Sequence, residues 1–122
     1  MRRRMRAELD RSDAARFDLK QGEGGLVDLE FLLQFVVLRD AQDRPSLTQP
    51  RDTAGLLDAC CAMGIFDGST CASLHAAHAT LLDAGLRCTL DRRPRITPET
   101  EAIEAARDTI RVACARQDLA FD

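Results

Sequence analysis

Residues 17–38 read FDLKQGEGGLVDLEFLLQFVVL, and no other stretch constrains the fold as much. The alternation in Phe17-Asp18-Leu19-Lys20 predicts a short strand with Phe17 and Leu19 on one face. It runs into a glycine-rich turn holding Gly22, Gly24 and Gly25, and the turn opens onto a helix expected over residues 26–39. The apolar run of that helix is broken only by Asp28, Glu30 and Gln34 before Arg39. A surface helix keeps a polar face at a 3.6-residue period. This one is apolar nearly all round, so burial is expected. Its few polar groups then need partners, because an unpaired buried charge costs about 3–5 kcal/mol.

Further along, residues 40–51 read as a loop broken by Pro45 and Pro50. A second helix is expected behind a cap at Asp52 or Thr53. It ends at Gly64, with Ile65 placed for a hydrophobic C-cap contact. A third, capped by Asp67 or Ser69, carries Leu74, Leu81, Leu82 and Leu86 at helical spacing and runs to about Leu90. Thr97-Pro98-Glu99 reads as N-cap, N1 proline and acidic first turn of a fourth helix that continues to about Gln117. The fold class is all-α: a bundle of about four main helices with a short N-terminal extended segment. Residues 1–16 read as the tail of a preceding domain or a linker, and residues 17–122 as the helical domain. A lone strand is not stable, so the segment at residues 17–20 is expected to join a sheet upstream or to pack as an extended arm.

At 122 residues the chain can bury a core of its own. A net charge of −3 gives no reason to expect nucleic acid or an anionic membrane as partner. No apolar run approaches 18 residues and no signal peptide is visible, so a cytoplasmic location is expected. The five cysteines are odd in number and lack C-x-x-C spacing. They are expected to be small buried hydrophobes in a reducing compartment. His75 and His78 have no cysteine at a zinc-ligand spacing, so no metal site is expected and both read as helical-surface residues.

Lys20 is the only lysine among 17 basic residues, and it sits beside the glycine turn. Its ammonium can meet a phosphate or a carboxylate, or simply be solvated. The turn itself admits two readings. Exposed amides at a helix N-terminus cradle anions, or the glycines only let the strand turn sharply into a buried helix. No Walker A or dinucleotide fingerprint is present. Asp28 and Glu30 are two residues apart, so they face opposite sides of the helix and cannot share a metal ion. Asp28 complements the helix dipole. Glu30, with Gln34 one turn on, either fixes a partner or makes a buried ion pair with Arg87 or Arg16.

Lys20, Gly24, Gly25, Asp28, Glu30, Phe31 and Gln34 together resemble the K-x-x-x-G-G-x-x-D-x-E-F-x-x-Q signature of the glutamine synthetase adenylyltransferase family. There the signature opens the helical domain that follows a nucleotidyltransferase domain. The Val27-Asp28-Leu29 wording and the Val36-Val37-Leu38-Arg39 ending are similar to the C-terminal, AMP-attaching copy. The resemblance implies a parent enzyme that moves AMP from ATP to a tyrosine of glutamine synthetase, with magnesium, under control of a PII signalling protein and glutamine. It implies that Lys20, Gly24 and Gly25 line the phosphate or loop side, that Asp28 faces the catalytic domain, and that Glu30 and Gln34 order the interface. The G-[ST] turn and D-x-D pair that hold metal in such enzymes are absent here, since Gly68-Ser69 is followed by none. The chain alone is therefore expected to be inactive and to bind neither ATP nor magnesium. Two alternatives stay open. One is the deadenylylating half of the same family or a PII uridylyltransferase. The other is a non-catalytic module that binds PII or glutamine synthetase.

Overall fold

The computed structural model describes residues 2–10, 12, 16–20, 22–40, 42–43, 52–92, 94, 96–98 and 100–117. Among them are five helices and two short strands, in the order α1 (Arg2–Leu9), β1 (Arg16–Asp18), α2 (Leu26–Asp40), α3 (Thr53–Ala62), α4 (Gly68–Leu90), β2 (Ile96–Pro98) and α5 (Glu101–Arg116). This is the expected all-α bundle. Most of the loop expected over residues 40–51 lies outside the described residues.

The caps follow local chemistry. The Asp52 carboxylate accepts from Gly55 N at 2.8 Å to start α3, and that of Asp67 accepts from Thr70 N at 2.6 Å to start α4. This short bond holds the Asp67 carboxyl below its ordinary pKa. At the end of α3, Gly64 takes φ +74°. Its N–H and that of Ile65 donate back to the Cys61 and Cys60 carbonyls at 3.0 and 3.1 Å. The reversal lays the first turn of α4 against the last turn of α3.

α4 and α5 form the most extensive helix pair, and α2 and α3 pack across them. The core takes Leu29, Leu32, Leu33 and Val36 from α2, Leu57 and Cys60 from α3, Leu74, Ala77, Leu81 and Cys88 from α4, and Ile103, Ala106 and Ile110 from α5. Phe17 and Leu19 close one end of it.

Four expectations change. β1 is not alone: it pairs antiparallel with β2, Phe17 opposite Thr97 and Asp18 opposite Ile96. Thr97 and Pro98 therefore belong to a strand, and the N-cap of α5 is Thr100, whose hydroxyl accepts from Ile103 N at 3.3 Å. Pro98 is tolerated because both strands of a two-stranded ribbon are edges. Third, α2 is not buried all round. Glu30, Gln34 and Leu38 form an open stripe, with Leu38 85% exposed. Fourth, Cys61 and Cys71 are joined as a disulfide across the α3–α4 reversal, their Cα atoms 6.0 Å apart. Cys60, Cys88 and Cys114 are free and buried. No helix among the described residues is long and apolar enough to cross a membrane.

Candidate functional site

The signature lies where β1 turns into α2. Asp18 is 1% exposed although it alternates with two apolar residues, and its carboxylate accepts from Lys20 N at 3.1 Å. This is the local side-chain turn that Asp forms two residues ahead of an amide. The chain then folds back on itself. Gly22 N donates to Asp18 O at 3.0 Å, Gly25 N to Gly22 O at 2.9 Å, Leu26 N to Leu19 O at 3.0 Å and Val27 N to Lys20 O at 3.0 Å. Gly24 N donates to the Asp28 carboxylate at 2.8 Å.

Two glycines are needed by this geometry. Gly24 has φ +78°, and a Cβ there would sit 2.7 Å from the Arg107 carbonyl oxygen on α5. A Cβ on Gly25 would lie 2.8 Å from the Leu19 oxygen and 2.9 Å from the Gly22 oxygen, both of which accept turn hydrogen bonds. The turn is thus pressed onto α5 and closed on itself. The amides of Gly22, Gly24, Gly25, Leu26 and Val27 all donate within the chain, so they do not form an open phosphate cradle. The steric reading of the glycines describes what the structure does with them.

The signature divides in two. Gly24, Gly25 and Asp28 are buried; Lys20, Glu30 and Gln34 are exposed. Asp28 is 1% exposed and turned inward to the glycine turn, not outward. The ion pair expected between Glu30 and Arg87 is not formed. Arg87 pairs instead with Asp83 at 3.1 Å, one turn back on α4. The Arg16 side chain lies outside the described residues.

Between α4 and α3, His75 Nε2 meets the Asp58 carboxylate at 2.9 Å. His78 is buried, a correction to its surface reading, because α2 and α3 cover that side of α4. Burial pushes the His78 imidazole below its ordinary pKa of 6.5 and neighbouring His75 adds to this, while Asp52 and Glu30 pull it back up. His78 is thus neutral in the fold but protonates more readily once unfolded. Stability on its account is fully present above about pH 6.5 and is lost as pH falls from there toward the lower folded-state value. A melting-temperature profile should decline between pH 7 and 5, and His78→Gln should flatten that decline. An unchanged slope in the variant would show that His78 does not contribute to the decline.

Among the described residues, no group of three or more His, Cys, Asp or Glu is placed to hold a metal ion. A cleft of about 330 Å³ opens between the start of α4 and the end of α5, lined by Ser69, Thr70, Ser73, Asp108, Thr109 and Arg116 among others. No signature residue lines it. Sequence reasoning missed Asp18 and Arg107. The signal for Asp18 was the D-x-K local turn; for Arg107, 84 residues from its contact at Glu23, there was none.

The family described as GlnD PII-uridylyltransferase matches residues 1–93. The chain is 60% identical over 121 residues to a bifunctional glutamine synthetase adenylyltransferase/adenylyl-removing enzyme of Stenotrophomonas maltophilia (strain K279a). It is 58% identical over 121 residues to the enzyme of the same description from Xanthomonas oryzae pv. oryzae (strain MAFF 311018). Each alignment covers 99% of this chain and 13% of the relative. The chain therefore spans about an eighth of the length of the curated relatives it matches.

Proposed function

The chain belongs to the GlnD PII-uridylyltransferase family, and from that membership we propose that it is the helical domain following the C-terminal nucleotidyltransferase domain of a glutamine synthetase adenylyltransferase. The parent enzyme transfers AMP from ATP to a tyrosine of glutamine synthetase, and PII is a further partner. Within it, this domain supplies one wall of the active-site cleft. Identity of 52–60% across the chain favours the adenylyltransferase branch over the uridylyltransferase branch of the family.

One observation carries the reading: a single signature is split between a locked interior and an open face. Gly24, Gly25 and Asp28 fix the turn, and the fixed turn sets where Lys20, Glu30 and Gln34 stand. Glu30, Gln34 and Leu38 lie at i, i+4 and i+8 on a helix whose opposite face, with Leu29, Leu32, Leu33 and Val36, is buried. A polar pair beside a fully exposed leucine on the central helix suits contact with another domain. Among the described residues no group of carboxylates is placed to hold magnesium. The role of this chain is to position and to exclude water: Lys20 offers a cation at the rim, and Glu30 and Gln34 offer acceptors and a donor to the facing domain.

The curated relatives are bifunctional, so direction of reaction is the test. The similarity of residues 27–29 and 36–39 to the AMP-attaching copy supports addition as this chain's half of the activity. Glu30→Arg reverses an exposed charge, where substitutions typically move stability by less than about 0.5 kcal/mol. In the parent enzyme it should slow AMP addition about tenfold, roughly 1.4 kcal/mol of transition-state stabilisation, and leave AMP removal unchanged. The opposite pattern would assign the chain to the removing half. Unchanged rates in both directions would make the outer face a regulatory or solvated surface.

A further inference from the structure

We infer that Arg107 of α5 is a positioning residue for the signature, acting through the glycine turn; the inference rests on the cleft reading above. Three contacts converge on this one residue. Its Nε donates to the Glu23 carbonyl at 2.9 Å. Its guanidinium lies over the Phe17 ring, 4.1 Å from the centroid. Its backbone occupies the space a Gly24 side chain would need.

Arg107 thereby ties β1 and the tip of the following turn to α5. Phe17 is the middle residue of β1 and Glu23 the tip of the turn. The stack and the hydrogen bond together fix the planar guanidinium in one orientation, a pairing that lysine cannot reproduce because it has neither the plane nor the fork of donors. Without Arg107 the Glu23 peptide loses its anchor on α5, and the turn can lift from the helix. Lys20, whose carbonyl accepts from Val27 N, and the first turn of α2 lift with it. Displacement of positioning groups by about 1 Å can cost up to about a hundredfold in rate.

The experiment compares Arg107→Ala, Arg107→Lys, Ile110→Val and Glu30→Ala in the parent enzyme, measuring kcat and KM for AMP addition beside melting temperature. Ile110 is fully buried one turn further along α5 and is not a residue of the signature. Both Arg107 variants should lower kcat roughly 10- to 100-fold with little change in the KM for ATP, and the lysine should not rescue. Ile110→Val should lower the melting temperature comparably and keep its kcat. Full rescue by lysine, normal kcat in the Arg107 variants, or a kcat loss that follows melting temperature through Ile110→Val would each overturn the inference. Slow Glu30→Ala with normal Arg107 variants would overturn the positioning role alone. Normal rates for Glu30→Ala and both Arg107 variants would overturn the cleft reading with it.

Discussion

Gly24→Ala is expected to melt about 12 °C below the wild-type chain, from a loss of about 3 kcal/mol. Two effects add at this position. The φ of +78° lies in the left-handed region, where a Cβ costs about 1–2 kcal/mol. The new Cβ would also meet α5 backbone, 2.7 Å from the Arg107 oxygen and 2.9 Å from its Cα. Backbone cannot swing aside as a flexible side chain does, so α5 and the turn must part, a strain of about 1–3 kcal/mol. Gly64→Ala is the internal comparison. Its φ is +74° but no atom lies within 4 Å of its Cβ, so it should show the conformational cost alone. Thermal melts of the two variants read the difference, and equal losses would show that the α5 contact carries no weight.

Asp28→Ala should be nearly as damaging, at about 3 kcal/mol, because it orphans the buried Gly24 amide. The carboxylate accepts that amide at 2.8 Å from within a site 1% exposed, and it also lies in the first turn of α2. An unsatisfied buried donor costs about 1–3 kcal/mol, and loss of a first-turn acid adds about 0.3–1 kcal/mol. Asp28→Asn keeps a carbonyl oxygen for Gly24 and should lose only about 1 kcal/mol. Amide exchange measured at Gly24 gives the local readout: slow in wild type, intermediate in Asn, fast in Ala. Protection that survives in Asp28→Ala would mean the amide is held by something other than this carboxylate.

The helices were legible because each carries its own punctuation. Asp52, Asp67, Gly64 and the spacing of Leu74 and Leu81 determine boundaries through contacts a few residues long. The strand β1 was legible in the alternation of residues 17–20, but its partner was not, because pairing Phe17 with Thr97 joins segments 80 residues apart. Thr97-Pro98 satisfied the local rule for a helix start, and the long-range pairing overrode it. At the site, the glycines and Asp28 stood out as residue types, but their division from Lys20, Glu30 and Gln34 depends on which side of α2 the bundle covers. Hydrophobicity alone placed the whole helix inside. Leu38, apolar yet 85% exposed, marks where that rule fails. The disulfide between Cys61 and Cys71 likewise follows from the Gly64 reversal, not from cysteine spacing.

On the proposed reading, the outer face of α2 meets the nucleotidyltransferase domain. This contact is tested most directly by placing a photoreactive benzophenone side chain in place of Gln34 in the parent enzyme and mapping the cross-linked peptides after irradiation. The account predicts intramolecular cross-links to the upstream nucleotidyltransferase domain, formed without any added protein. Cross-links that form only with added PII or glutamine synthetase, or none to the upstream domain, would contradict it and make this face a regulatory docking surface.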